Sequence, residues 1–337
     1  MQASQASTSH RRVDSLGELE FQSRLADGRG LRIGPFDVRV AARATGLAEP
    51  LYRLYRQYPL LDDERVFSCH LRLEELRAAL PRLKRRVRFT VDGRQPHDDM
   101  PAEQALAVLE WGFNLVIALR FHRFLMLHSA VLERNGGALL MPAGPGHGKT
   151  TLCAALAHRG WRLLSDEFGL LRPGKTAFVP IPRPMPLKNA SIDVMRNFAP
   201  QAELGPSIEG TIKGTVAHVR PPRDSVDAAA IEAPARWVVF PRWQADARLS
   251  FEEVPRAEAF MGLARNAFNY EVVGQAAFET VRDLVERSRC YRLVYSDLDE
   301  AVELFDKLAR GEGAELESGD GDAGIGGPQA PPVAGER

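Results

Sequence analysis

One stretch constrains this chain more than any other: Ala143-Gly144-Pro145-Gly146-His147-Gly148-Lys149-Thr150-Thr151. It fits a phosphate-binding loop, in which Gly or Ala and four further residues lead to Gly-Lys and then Ser or Thr. Such a loop works only between a buried strand and a helix, so it dictates a strand–loop–helix unit. The flanks agree: an apolar run at 138–141 precedes it and good helix formers at 152–156 follow. Glycines at 144, 146 and 148 let backbone N–H groups face a phosphate with no Cβ in the way. Lys149 can reach the outer phosphates, the Thr150 hydroxyl can ligate Mg²⁺, and the helix points its positive end at the anion. The competing reading is a Gly-rich turn that holds no ligand.

The surroundings carry further chemistry. An apolar strand at 124–132 turns at Asn135-Gly136-Gly137 and returns to the loop. His128 lies in that strand. Such a histidine is most often a core residue with a satisfied ring, but the hairpin returns this region towards the loop, so a site role is the alternative. The helix after the loop stops near His158-Arg159-Gly160, with Gly in the stop position. A strand at 161–165 then delivers Asp166 and Glu167. Beside a phosphate site, one carboxylate can hold Mg²⁺ and the other can take a proton from an attacking hydroxyl. The alternative is an acidic pair at a surface turn.

With 337 residues, the chain has room for two domains and a sizeable core. Lys+Arg and Asp+Glu both number 44, which removes any global pull towards nucleic acid or acidic membrane. Cys69, Cys153 and Cys290 have no metal-type spacing and read as reduced thiols in a cytoplasmic protein. Residues 1–15 are polar, contain no signal-peptide core and are expected to lack structure. Strand-like runs follow at 17–22, 31–41 and 65–73, with 51–58 a helical turn or irregular. The basic run Arg82-Leu83-Lys84-Arg85-Arg86-Val87-Arg88 enters a strand at 87–91, which ends at the hairpin signal Asp92-Gly93. That run could contact RNA or an acidic partner, but a solvated face beside a strand is the preferred reading, and nucleic acid is not the expected partner.

Residues 101–121 read as a helix with Pro at its first turn and apolar side chains almost all round. Glu110, Asn114 and Arg120 interrupt it, so it is expected as a core helix beneath the sheet, with no membrane contact. Towards the carboxyl end, strands are expected at 236–240, 248–254 and 290–295. A helix at 255–268 places Ala259, Phe260, Leu263, Ala264, Ala267 and Phe268 on one face. A second, at 274–288, turns Phe278, Val281, Leu284 and Val285 inward. Asp297-Leu298-Asp299-Glu300 reads as a capping box opening a final helix. From 311 on, Gly, Pro and acidic residues without periodicity read as a disordered tail.

Together, His128-Ser129-Ala130, the hairpin, the 143–151 loop and Leu163-Leu164-Ser165-Asp166-Glu167 resemble the kinase domain of HPr kinase/phosphorylase. That family is related in fold to PEP carboxykinase. Pro182-Arg183-Pro184-Met185-Pro186-Leu187-Lys188-Asn189 and Lys213-Gly214-Thr215-Val216-Ala217-His218-Val219-Arg220-Pro221-Pro222 resemble its subgroup called HPr kinase-related kinase A. The chain departs from the parent family in having Asp166-Glu167 where two aspartates stand, and in echoing its Glu-x-Arg-Gly-x-Gly element only loosely at 209–214. Residues 1–100 show no likeness to the parent's amino-terminal domain.

The resemblance implies an α/β fold: a P-loop domain of HPr kinase/PEP carboxykinase type over 101–310, its mixed sheet flanked by helices, with a smaller α+β region at 16–100. It implies an ATP-dependent kinase that phosphorylates a hydroxyl, serine foremost, of an acceptor protein or small molecule, with self-association left open. ATP would lie on residues 143–151 and Mg²⁺ on Thr150 and Glu167. Asp166 would be the base, and His128 would orient it or the phosphoryl group in transfer. Lys213, with Lys188 and Arg220, would neutralise charge in the transition state. The assignment of the two carboxylates stays open, as does a nucleotide-binding regulatory protein without transfer activity.

Overall fold

The computed structural model describes residues 11–76, 84–144 and 146–312, which build sheets of six, eight and three strands. The first layer comprises α1 (Glu18–Leu25), β1 (Arg29–Ile33), β2 (Phe36–Arg43), α2 (Ala48–Tyr55), β3 (Leu60–Leu61), β4 (Cys69–Leu76), β5 (Arg86–Val91) and β6 (Met100–Pro101). Its strand order is β3-β1-β2-β4-β5-β6. The pair β2–β4 is parallel and the others are antiparallel.

Several expectations for this layer need correction. Residues 17–22 belong to a helix, because Phe21 and Leu25, one turn apart, are the side chains that α1 buries. The run 31–41 is two strands of a hairpin, since Gly34 turns the chain at φ 56°. The stretch around 51–58 is the regular helix α2. Residues 11–15 have structure after all: Val13 is fully buried, and Arg12 bridges to Pro59. The rest of the expected amino-terminal disorder, the tail from 313, and Arg82 and Leu83 of the basic run lie outside the described residues. Arg85 pairs with Glu75, while Arg86 and Arg88 bond Asp99, so these cations are matched by the protein itself.

Next comes α3 (Ala105–Arg120), which packs Gly112 against the Phe89 ring with no room for a Cβ. Its other side meets Phe168, Leu170 and Ile181, within one continuous core. The helix therefore lies between the six-stranded sheet and the next layer, which explains its apolar circumference; it does not sit beneath the second sheet alone. Residues 102–120 are long and apolar enough to cross a membrane, but 67% of the most apolar window is buried in the protein.

The second layer begins with β7 (Leu125–Arg134), β8 (Gly137–Pro142), α4 (Lys149–His158), β9 (Arg162–Ser165), β10 (Phe168–Leu171) and β11 (Ala177–Val179). Then follow β12 (Met185–Lys188), α5 (Ala190–Phe198), β13 (Ile208–Thr211), β14 (Gly214–Val219), α6 (Arg223–Asp227) and β15 (Ala233–Trp243). The chain continues through β16 (Ser250–Glu253), α7 (Arg256–Arg265), α8 (Tyr270–Val273), α9 (Gln275–Arg287), β17 (Arg289–Tyr295) and α10 (Leu298–Arg310). The eight-stranded sheet runs β11-β10-β7-β8-β15-β17-β16, with β9 beside β10 along β7. The start of β15 also pairs β11, which closes five strands on themselves. Strands β8, β15 and β17 are parallel neighbours and the other pairs are antiparallel, so the sheet is mixed.

All six residues of β8 are buried, because both faces are covered. Leu139 and Met141 face a core made with α4 and α10, while Ala138 and Leu140 face one made with α7 and α9. Phe278, expected inward, is 49% exposed. It lies one position off the stripe Ala277, Val281, Leu284, Val285 that α9 buries, and it packs edge-on against Phe260. Helix α7 stops at Arg265, so Phe268 leaves its face and turns to β7 instead. A three-stranded sheet, β12-β14-β13, packs Met185, Leu187, Ala217 and Val219 into the core shared with α4.

Candidate functional site

Asn135 and Gly136, at φ 53° and 77°, make the tight reversal that sets β7 against β8. Strand β8 then runs into the glycine loop, and α4 starts at Lys149 with Gly148 as its N-cap at φ 79°. No side chain caps α4, so the amides of its first turn have no acceptor within the helix. The neighbouring parallel strands clamp this loop. The Trp243 N–H donates to the His147 carbonyl at 3.0 Å, and the Tyr295 hydroxyl donates to the Gly148 carbonyl at 3.2 Å. A Cβ at Gly148 would come within 2.6 Å of that hydroxyl and 2.7 Å of the Trp243 Cβ. Pro145 lies outside the described residues.

The acids arrive on the other side of β7. Strand β9 ends at Ser165, whose Oγ accepts from the Phe168 N–H at 2.9 Å and so shapes the Asp166-Glu167 turn. Strand β10 then aligns Phe168 opposite His128. That register brings His128 Nε2 within 3.5 Å of Glu167 Oε1. Burial and the nearby Lys149 charge hold the imidazole below its ordinary pKa, against the pull of Glu167. The Phe268 ring, which left α7, packs 5.3 Å from the imidazole.

Lys149 is 7% exposed and Asp166 6%. Among the described residues, the Lys149 Nζ and both Asp166 carboxylate oxygens are buried with no hydrogen-bond partner. Burial pushes the Asp166 carboxyl up to about 6, although Lys149 and the Thr150 hydroxyl oppose the rise. Lys188 is pushed below its ordinary value by burial and then by the like charge of Lys213.

A cavity of about 1190 Å³ joins these groups. Gly144, residues 146–151, His128, Glu167, Lys188 and Lys213 all line it, so most of the expected site residues meet there. The Lys213 ammonium lies 5.4 Å from the Trp111 ring centre on the same wall. Ala143 is buried at the end of β8 and Asp166 lies behind the cavity wall, where it borders a small internal cavity of about 20 Å³. Arg220 is a correction: it bonds Glu203 and the Arg53 carbonyl instead of joining the site. Sequence reasoning missed Trp243 and Tyr295. Their signal was position, since both end strands parallel to β8, and ligand sites of α/β sheets gather at carboxyl strand ends.

The residues present fit a magnesium–phosphate ligand. An uncapped helix end, a buried ammonium and a buried carboxylate without partners are what a phosphate and its cation would satisfy. No cluster of three or more His, Cys, Asp or Glu occurs among the described residues.

Compared with known proteins, the chain matches no family model and no curated protein. Among solved structures, the Hpr(Ser) kinase/phosphatase from Coxiella burnetii is similar over 57% of this chain and 97% of its own. Identity there is 12% and the TM-score 0.24, a distant structural relation.

Proposed function

We propose that this chain is an ATP-dependent kinase that transfers the γ-phosphoryl group to a hydroxyl, serine foremost, of a protein or small molecule. One observation carries the reading: Lys149 at the clamped glycine loop and Asp166 behind the cavity wall are both buried without hydrogen-bond partners among the described residues. Burying unpartnered charges is costly. A ligand that supplies both an anion and a cation removes that cost, and Mg–ATP is such a ligand.

In this reading the loop amides and Lys149 grip the phosphates. The Thr150 hydroxyl and Asp166, neighbours at the start of α4, hold Mg²⁺, which when bound neutralises charge across the phosphate oxygens. Glu167 faces the cavity with His128 at its side. It takes the acceptor's proton as the new oxygen–phosphorus bond forms and the bond to the ADP oxygen breaks. This exchanges the roles given to the two acids by resemblance, and the support is burial: the base must meet the acceptor, and Glu167 lines the cavity. Lys188 and Lys213 offset charge on the group in transit.

Calorimetric titration of the parent and of Lys149→Ala with Mg–ATP tests the reading. A charge-assisted bond to phosphate contributes ~1.5–3 kcal/mol, so affinity should fall about 10- to 100-fold in the variant. An equal dissociation constant sinks the proposal. Labelling of a host extract with γ-labelled ATP then identifies the acceptor, and binding without any labelling would mean a nucleotide-binding regulator.

A further inference from the structure

The cavity wall has two chemically distinct parts. One holds His128, Glu167, Lys188 and Lys213. The other holds Trp243, Tyr295 and Leu298, together with Val194, Asn197 and Phe198 of α5. The charges acting on His128 and Lys188 include Lys149, Glu167 and Lys213, and for Lys188 also Asp166. The second part is bordered by Asp297 and Asp299 instead. They are engaged there: Asp297 caps α10 by accepting from the Glu300 N–H at 3.0 Å, and Asp299 pairs with Arg159 at 3.1 Å. The field along the cavity thus draws phosphates towards the lysines and away from the Trp243 part.

Trp243 itself is unusual. It is 48% exposed, although it ends a core strand. Its indole N–H donates to the Ser296 carbonyl at 3.1 Å, and its backbone N–H holds the phosphate loop at His147. A large aromatic ring is thereby fixed in place with its surface open to the cavity. Asn197 lines the same part, and its side chain bonds no other described residue, leaving an amide with both donor and acceptor groups.

We propose that this part is the nucleobase subsite and that a purine stacks on the Trp243 indole, with the Asn197 amide at the base edge. The inference rests on the nucleotide reading above and adds its polarity. The base lies one sugar from the first phosphate, so its platform must adjoin the loop, and Trp243 is bonded to it. Stacking on an aromatic ring suits a neutral, flat base in a part of the cavity that disfavours anions.

The test uses the whole chain and three ligands: Mg–ATP, Mg–ADP and Mg–tripolyphosphate. Trp161 and Trp237 are buried, so quenching of tryptophan emission reports chiefly on Trp243 and Trp111. ATP and ADP should quench and tripolyphosphate should bind without that quench. Trp243→Phe should abolish the quench and keep ATP affinity within a few-fold. Trp243→Ala, which keeps the backbone N–H and Cβ that touch the loop, should weaken ATP about tenfold or more, as loss of one stacked base does, and weaken tripolyphosphate far less. If Trp243→Ala and Trp243→Phe both bind ATP as the parent does, or if ATP binds the parent no tighter than tripolyphosphate, the base subsite is wrong while the phosphate loop stands. If neither ligand binds the parent, both proposals fall.

Discussion

Two sets of buried charge, Arg183 with Glu110 and Lys149 with Asp166, are treated differently by the fold, although Arg183, Glu110 and Asp166 all border one small cavity. In the first, Arg183 reaches Glu110 Oε2 at 2.5 Å and its backbone carbonyl at 3.1 Å, and bonds Asn114 as well. The Tyr55 hydroxyl donates to the other Glu110 oxygen at 2.6 Å, and the Phe113 ring lies 4.4 Å beneath the guanidinium. In the second, Lys149 Nζ and the Asp166 oxygens have no hydrogen-bond partner among the described residues, with the Thr150 and Cys153 side chains merely nearby. The first pair, bonded at every polar side-chain atom except Arg183 Nε, is a structural rivet: it ties α3 and α2 to the segment entering β12. An unsatisfied pair holds charge ready for something else. Burial alone therefore does not separate structural from functional charge; the count of partners does.

Removing one member of the satisfied pair should give the largest effect. Glu110→Ala leaves the Arg183 guanidinium buried without a counter-charge, with only Asn114, the residue-110 backbone carbonyl and the Phe113 ring beside it, and strips the Tyr55 hydroxyl of its acceptor. Breaking such a pair typically costs ~3–5 kcal/mol. Urea unfolding should show a loss of that size. A loss under about 1 kcal/mol would mean that water reaches Arg183 and that the two pairs are not the opposites described here.

The unsatisfied pair should answer with the other sign. The Asp166 carboxyl has a folded pKa of about 6 against an ordinary 3.8. A raised folded value means the folded protein prefers the protonated acid. The penalty is absent below about pH 4, grows as pH rises towards 6, and is complete above it. A rise of that size corresponds to about 3 kcal/mol as an upper figure. Asp166→Asn, neutral at every pH, should therefore stabilise the apo protein at pH 8 by up to that amount, and the gain should shrink as pH falls to 5. Unfolding curves of parent and variant at several pH values read this directly. A variant less stable than the parent at pH 8 would show that Asp166 does structural work like Glu110.

Much of the second pair's setting was legible in the sequence, and the first was not. The loop from Ala143 to Thr151, the reversal at Asn135-Gly136 and the Asp297 cap depend on local chemistry: φ > 0 at glycine or asparagine, and a side chain bonding the amide three residues on. Local rules read local features. Glu110, by contrast, looked like an interruption in an apolar helix, and its partner lies 73 residues away. Nothing local announces such a pairing. The strand reading of 17–22 failed because a few alternating residues fit both periods, and tertiary burial of Phe21 and Leu25 decided for the helix. Strands β10 and β11 escaped notice because they are short and their burial comes from closing the sheet, not from alternation within each strand, and β12 to β14 because they form a small separate sheet. Trp243 escaped because stripes of apolar residues announce a core, whereas its ring matters for what it leaves uncovered.

The smallest effect separates two glycines of the loop, both in left-handed geometry. Gly146 has φ 82° with nothing within 4 Å of an added Cβ, whereas at Gly148 (φ 79°) the Cβ would strike the Tyr295 hydroxyl and Trp243. Gly146→Ala should therefore cost only the conformational term, about 1 kcal/mol. Gly148→Ala adds a clash with the clamp that fixes the loop, and should cost roughly twice as much. The difference should be larger in binding than in stability. Moving Tyr295 or Trp243 to admit the methyl loosens the carbonyl contacts at His147 and Gly148, so the loop amides lose their aim at the phosphates. Mg–tripolyphosphate affinity, which leaves the base subsite out, isolates that effect: it should fall further in Gly148→Ala than in Gly146→Ala. Equal losses in the two variants would mean that backbone strain alone governs the loop and that the clamp from β15 and β17 contributes nothing to binding.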